Sequence, residues 1–296
     1  MNSMHIPSNH EMDLSPQAVD QLVRELAAEY AETSAVGSMS CSLYDSSWVA
    51  CVTTNEHGDE RYRYPVCFSH ITSSQTTEGS WSSNPAQIHP GQVDAILSSL
   101  AAIFALQTLA AKPLQLNHLV TEHRVVERVE KGIQAVRQLL LSWDVSSCRE
   151  VGFEVLVPAM LSLVEKQRDS NLEFPARERL LQLRQAKLSK ISPKLLYSHA
   201  PKSLLHSMEA FYQDPEFDFN RVRHHLVNGS LMASPSATAA FVMRVDSPDQ
   251  ESLDYLDKVY ESAAGKASGG IPSAYPSTHF EISWVILPPL CNATRP

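Results

Sequence analysis

The chain has 296 residues, 43% of them hydrophobic and 19% charged, which is the composition of a globular protein with a substantial core. This balance excludes disorder along the whole length, and 18 Pro with 10 Gly in no G-X-Y period exclude a collagen-like chain. The formal charge of −9 makes a nucleic-acid partner unfavourable, because such affinity rests mainly on basic residues that neutralise phosphates.

Apolar spacing and helix-start residues predict an all-α fold. Between Val126 and Trp143 the apolar residues recur at intervals of three and four, which places them on one helix face. A serine before a proline at Ser15, Ser234 and Ser247 predicts a helix start, because serine caps free N–H groups and proline lacks one. Ser247 and Gln250 also match a capping box. Further helices are predicted at 16–31, 93–111, 150–166, 175–188, 203–212, 235–244 and 248–263, and an apolar helical segment at 278–287.

Two regions interrupt the helical pattern. From Thr53 to Gln92, turn-forming residues surround short apolar pieces, which predicts a long irregular connection. Residues 265–276, GKASGGIPSAYP, predict a boundary. The uncharged run 95–111 is short and polar for a membrane span, so we expect a buried helix there.

The cysteines and the N-terminal residues favour a cytoplasmic protein. The five cysteines contain no CxxC pair, which indicates reduced thiols and neither a disulfide framework nor a thiolate zinc site. The first thirty residues carry acids, His and Pro where a signal peptide needs an apolar stretch.

Common catalytic motifs are missing from the sequence. It contains no GxGxxG, GxxxxGK[ST], HExxH or GxSxG, so nucleotide binding, zincin chemistry and the usual serine-hydrolase elbow have no support. The adjacent pair His224 and His225 and the spaced pair His118 and His123 do not share a helix face, which argues against histidine metal ligation.

Longer segments carry more information. SLYDSSWVA (Ser42 to Ala50) resembles the S-x-Y-D-T-A-W-V-A signature of class II diterpene cyclases of the copalyl diphosphate synthase type, including the fungal bifunctional copalyl diphosphate/kaurene synthases. Further segments match that family in the same order as far as residue 284: YPVCF with QTTEGSW, GFEVLVPAML, AKLSKI with SLLHSMEAF, HHLVNGSLMASPSATAAFVM, GGIPSAYP and FEISW.

The resemblance implies an α-barrel called the γ domain, inserted after the first helix of a second α-barrel, the β domain. On this interpretation residues 1–40 hold the N-terminal segment and first β-domain helix, residues 41–271 form the γ domain, and residues 272–296 begin an incomplete return to the β domain. The family's class II pocket lies between the two barrels and protonates an alkene, shields carbocations and removes a final proton.

The resemblance also implies site residues. His206, in LLHS, matches a histidine that holds the deprotonating water in plant ent-copalyl diphosphate synthases; a structural histidine bonded to a backbone carbonyl is the alternative. Ser273 occupies the position of that histidine's asparagine partner, a departure from the plant pattern. Lys187 matches a lysine that the family uses against the substrate diphosphate, once the extra residue Ser192 is allowed for. Asp45, inside the first signature, is expected to cap or pack.

The acid of the family reaction is not in this sequence. The sequence contains no DxDD, no DDxxD and no Asp-Asp pair. The resemblance implies Mg²⁺ as the family's cofactor, but this chain has no motif that would bind the metal. We therefore expect a truncated or split class II cyclase whose family reaction cyclises geranylgeranyl diphosphate to a copalyl-type diphosphate, inactive by itself. The alternatives are a non-catalytic module that docks onto a separate cyclase chain, and a degenerate remnant.

Overall fold

The structure, a computed structural model, describes residues 39–82, 91–169, 171–191 and 193–277 and six residues between 15 and 24. The contacts divide the chain into a unit formed by Met39–Tyr275 and a unit formed by Met1–Ser38 with Pro276–Pro296, of which few residues are described. The predicted segment 278–287 lies outside the described residues. The predicted domain bounds, 41–271 among them, stay a prediction.

Helices dominate the Met39–Tyr275 unit. The α-helices are α1 (Leu43–Ala50), α2 (Pro65–Ser73), α3 (Gln92–Ala111), α4 (Asn117–Glu122), α5 (Val125–Leu141), α6 (Phe153–Arg168), α7 (Arg177–Leu188), α8 (Pro193–Leu196), α9 (Pro235–Arg244) and α10 (Gln250–Ser262). In the described part of this unit, 3₁₀ helices cover Leu114–Leu116, Ser203–Phe211 and Phe219–His225. The strands are β1 (Cys41–Ser42), β2 (Thr53–Glu56), β3 (Asp59–Tyr62) and β4 (Ile271–Pro272). The all-α prediction is therefore confirmed.

Helix α3 forms the centre of the core. It packs against α1, α5 and α6, and residues such as Ile96, Leu100 and Leu106 are fully buried. Among the described residues it is the one helix long and apolar enough to cross a membrane, but most of it is enclosed by its neighbours. The prediction of a buried helix at this position is confirmed.

The prediction of an irregular connection from Thr53 to Gln92 is wrong over its first half. Strands β2 and β3 form an antiparallel hairpin with Thr53 opposite Tyr62, and α2 follows at once. The turn uses positive φ at His57 and Gly58, the kind of conformation that a short hairpin loop requires. Proline at the first position of α2 supports a helix start there, because its fixed φ suits a helix.

Two of the three predicted serine caps are confirmed. The Ser234 hydroxyl accepts the Ala237 N–H (3.2 Å), and the Ser15 hydroxyl accepts the Ala18 N–H (3.2 Å). The prediction at Ser247, with its capping box, is wrong. Helix α10 begins after Asp249, whose carboxylate accepts the Ser252 N–H at 3.0 Å and forms an ion pair with an arginine of the preceding 3₁₀ helix. A carboxylate with two partners is a better cap here than the hydroxyl two residues earlier.

The two ends of the described unit lie side by side. Strand β1 pairs antiparallel with β4, with Cys41 opposite Pro272, and the Met39 N–H donates to the Ala274 carbonyl (3.2 Å). The predicted breaker segment before β4 contains positive φ at Lys266, so the chain turns there before it returns to β1.

Candidate functional site

His206 lies in the Ser203–Phe211 3₁₀ helix, immediately before a bend in the backbone. Ser207 has φ −127° and ψ 37°, which breaks the helix, and the His206 side chain is exposed. Its Nδ1 lies 3.1 Å from the Met232 carbonyl oxygen. A carbonyl only accepts, so Nδ1 carries the hydrogen in this bond, and in the neutral ring Nε2 has the lone pair. The ring is therefore oriented to accept a hydrogen bond or a proton at Nε2.

The turn at residues 231–234 connects His206 with the segment that carries Ser273. Met232 and Ala233 have φ of 53° and 57°, and the Ala233 carbonyl accepts the Tyr275 N–H at 2.9 Å. The Met232 carbonyl, one residue earlier, holds His206. Ser273 is exposed two residues before Tyr275. The structure thus brings the predicted base and the segment of its predicted partner to one turn.

Lys187 lies elsewhere on the described unit. It is on α7, and its Nζ forms an ion pair with Glu154 Oε1 at 2.8 Å. It lines an open cavity of about 420 Å³ together with Arg179 and Lys190. Neither His206 nor Ser273 lines this cavity. Glu150 and Glu154 also line it, so positive and negative side chains are mixed there, and the structure does not group Lys187 with the other two predicted residues.

A buried polar cluster beneath the site was missed from the sequence. Glu209, 2% exposed, accepts the Tyr44 O–H at Oε1 (3.0 Å), while its other oxygen is buried without a hydrogen-bond partner among the described residues. Asp45, 4% exposed, accepts the Ser236 N–H at Oδ1 (3.3 Å), and its own N–H donates to the Ser42 hydroxyl (3.3 Å). The expectation that Asp45 caps or packs is borne out in this form.

Burial makes the two carboxyl groups of this cluster hard to ionise. It raises the pKa of Glu209 to about 8, and the nearby charge of Asp45 adds to the rise. Burial also raises the pKa of Asp45, while hydrogen bonds from Ser42 and Ser236 and the charge of a protonated His206 oppose that rise. Glu209 therefore keeps its proton at neutral pH, and Asp45 and His206 are close enough to interact electrostatically.

One sequence signal could have located Glu209. It is an acid inside the apolar segment SLLHSMEAF, four residues after Leu205 and next to Ala210 and Phe211, all of them buried. An acid in such a run is expected to have a partner. The partner, Tyr44, is 165 residues away in the chain, so no local pattern identifies it.

The described residues do not offer a metal site. They bring no group of three His, Cys, Asp or Glu side chains together. The adjacent His224 and His225 instead donate from Nε2 to the backbone carbonyls of Ser198 (3.2 Å) and Leu196 (3.0 Å), respectively.

Comparison with known proteins identifies relatives over most of the sequence. The chain is 38% identical over 266 residues to the phyllocladan-16-α-ol synthase of Phomopsis amygdali, which is 90% of this chain and 26% of that protein. It is 38% identical over 273 residues to the copalyl diphosphate synthase of Talaromyces verruculosus (92% and 27%) and 34% identical over 278 residues to the ent-kaur-16-ene synthase of a Phaeosphaeria species (93% and 29%). No protein-family model matches the chain.

Solved structures give the same fold. The ent-copalyl diphosphate synthase of Arabidopsis thaliana aligns with a TM-score of 0.67 at 22% identity, covering 94% of this chain and 39% of that one. Abietadiene synthase of Abies grandis aligns with a TM-score of 0.67 at 25% identity, covering 94% and 35%. The chain spans about a quarter of the length of the curated relatives it matches. The relatives of this chain are therefore diterpene cyclases, and it corresponds in sequence to about a quarter of each of these full-length proteins.

Proposed function

We propose that this chain is the γ-domain portion of a class II diterpene cyclase, which cyclises geranylgeranyl diphosphate to a copalyl-type diphosphate. The observation that supports this is its sequence identity to a copalyl diphosphate synthase over nine tenths of the chain. The relatives' activities belong to proteins about four times as long, so the substrate and the reaction are carried over as part of the proposal.

In the proposed reaction His206 positions the water that removes the last proton. The final cation loses a proton from a carbon next to the cationic centre, the C–H electron pair becomes the alkene, and the proton passes through water to Nε2. The bond from Nδ1–H to the Met232 carbonyl keeps Nε2 available and stabilises the imidazolium that forms. Ser273 contributes a shorter hydrogen-bonding group than the asparagine of the plant pattern.

The proton donor has to come from outside these 296 residues, because they contain no DxDD. We propose that the chain by itself does not turn over geranylgeranyl diphosphate, since general acid-base terms alone contribute roughly 10² to 10⁴ in rate. Incubation of the purified chain with geranylgeranyl diphosphate and Mg²⁺, followed by phosphatase treatment and analysis for copalyl alcohols, tests this. Robust turnover would disprove the inactivity.

A chimera tests the role of His206. This chain would replace the matching quarter of the Talaromyces verruculosus copalyl diphosphate synthase, which supplies the remainder of the enzyme. His206→Ala should then divert the cation to water capture and yield a hydroxylated diphosphate, with the alkene product reduced. His224→Ala is the matched control, because His224 is also exposed and bonded to a backbone carbonyl, but to that of Ser198 and not to that of Met232. An alkene-only spectrum in both variants would remove the assignment.

Two further variants address the other predicted residues in the same chimera. Ser273→Asn, which restores the plant pair, should change the product ratio more than the rate. Lys187→Ala should raise KM for geranylgeranyl diphosphate if this lysine meets the diphosphate, whereas a lysine engaged only by Glu154 would leave KM unchanged.

A second candidate function is a non-catalytic module that completes a separate cyclase chain. The missing acid motif supports this module as well as it supports a cyclase portion. The genomic sequence next to this reading frame distinguishes the two functions. A DxDD motif in the same frame supports a single enzyme, and the motif in a neighbouring gene supports a split one. If the motif is found in neither place, the chain is a remnant. The cysteine pattern supports a cytoplasmic location for any of these.

A further inference from the structure

The turn at residues 231–234 has an unusual backbone. Two successive non-glycine residues, Met232 and Ala233, adopt positive φ, which side chains with a Cβ rarely do. Such residues persist where the surrounding structure fixes them, and they are concentrated at functional sites. Here each of the two strained residues uses its carbonyl group, one for His206 and one for the Tyr275 N–H. The strained turn therefore determines where both segments of the proposed site lie.

One buried side chain ties this turn to a distant helix. Asp45, in α1, accepts the N–H of Ser236, two residues after the turn and 191 residues away in sequence. The carboxylate cannot move freely, since Asp45 is 4% exposed and its own N–H is held by Ser42. The Met232 and Ala233 carbonyls bond to the two segments of the proposed site, and the Ser234 N–H bonds within the turn to the Leu231 carbonyl (3.0 Å). The bond from Ser236 is the one that connects the turn's C-terminal side to α1.

We infer that Asp45 is a positioning residue for His206: its bond to the Ser236 N–H fixes the turn whose Met232 carbonyl selects the Nδ1–H form of the imidazole. This rests on the proposed function only for the use that the enzyme makes of Nε2. The positioning itself is a property of the chain alone and can be measured without substrate.

Three substitutions of Asp45 separate the bond from the charge. Asp45→Asn keeps an Oδ1 acceptor at the same reach and removes the charge, so the turn should stay in place. Asp45→Ser keeps a hydroxyl but is too short to reach the Ser236 N–H at 3.3 Å from the present carboxylate. Asp45→Ala removes every polar atom of the side chain. The bond therefore predicts that asparagine behaves as the wild type and that serine and alanine do not.

The experiment is nitrogen NMR of the full chain with ¹⁵N-labelled histidine, with the His206 signals assigned from a His206→Gln variant. Under conditions where the imidazole is neutral, wild type and Asp45→Asn should show the hydrogen on Nδ1. Asp45→Ser and Asp45→Ala should show a mixture of both tautomers, because the Met232 carbonyl is no longer held in place. Asp249→Ala is the control, since Asp249 is another buried carboxylate that caps a helix start. Its bonds are to the Ser252 N–H and the Arg223 guanidinium, so its removal should leave the His206 tautomer unchanged.

The outcomes separate clearly. A folded Asp45→Ser variant with an unchanged His206 tautomer overturns the inference, and so does an equal change in Asp249→Ala or in Asp45→Asn. If the serine and alanine variants do not fold, the hydrogen-exchange rate of the Ser236 amide in the wild type tests the bond to Asp45. A Ser236 amide that exchanges as slowly as the core helices supports the bond to Asp45, and one that exchanges like an exposed amide refutes it. Failure of the His206→Ala chimera would refute the proposed base while leaving the tautomer result intact.

Discussion

Replacing Glu209 with glutamine should flatten the pH dependence of unfolding. Burial raises the pKa of this carboxyl from an ordinary 4.5 to about 8, so between these values the folded chain binds one more proton than the unfolded chain. The contribution to stability is fully present below pH 4.5 and is lost as the pH rises through about 8. Glutamine matches the shape of the protonated acid and does not titrate.

The magnitude follows from linkage. One proton taken up on folding changes the free energy of unfolding by about −1.4 kcal/mol per pH unit. Between about pH 5.5 and pH 7.5 the wild type should therefore lose roughly 2 to 3 kcal/mol relative to Glu209→Gln. Histidines also titrate in this window, but they are common to both proteins and cancel in the difference.

Urea unfolding at about pH 5.5, 6.5 and 7.5 measures this difference directly. Glu130→Gln is the control: its ion pair with Arg168 lowers the pKa of that carboxyl, so any loss of stability through it occurs at acid pH, below the window. Its pH profile should run parallel to that of the wild type. A Glu209→Gln profile that also runs parallel to the wild type would refute the buried, protonated carboxyl.

Two structural predictions follow from the described contacts. Gly229→Ala should lower the free energy of unfolding by roughly 2 to 4 kcal/mol, because φ is +76° and the added Cβ would collide with the backbone carbonyl of Glu251. Gly58→Ala, with φ +94° and open space around the added Cβ, should lower it by only about 1 kcal/mol. Similar values for the two variants in thermal unfolding would contradict this. Asp257→Ala should cost about 1 to 3 kcal/mol, because it leaves the partly buried guanidinium of Arg63, bonded at 2.8 Å, without its carboxylate; a change below about 0.5 kcal/mol in urea unfolding would show that the pair contributes little.

Periodicity located the amphipathic helices but not those buried on all sides. Helix α5 has one apolar face and one charged face, so spacing identified it to within two residues. Helix α1 is buried on almost every side, with Ser46 and Ser47 as enclosed as Trp48, and its sequence has no helical period. The hairpin of β2 and β3 could not be predicted from the sequence either, because strands of four residues give too little alternation of apolar and polar residues.

The candidate site was only partly readable from the sequence. His206 and Ser273 came from the resemblance to diterpene cyclases, and the turn that connects their segments depends on positive φ at Met232, which the residue type does not predict. The cluster of Asp45 and Glu209 depends on contacts across more than 160 residues, which only the fold reveals.

The measurement that tests the central proposal most directly is the product spectrum of the chimera with the Talaromyces verruculosus copalyl diphosphate synthase. The unmodified chimera should form a copalyl-type diphosphate, and His206→Ala should shift the product to a hydroxylated diphosphate while His224→Ala does not. A chimera that folds but forms no cyclised diphosphate would contradict the assignment of this chain to a class II cyclase, and an unchanged alkene from His206→Ala would contradict the role of His206.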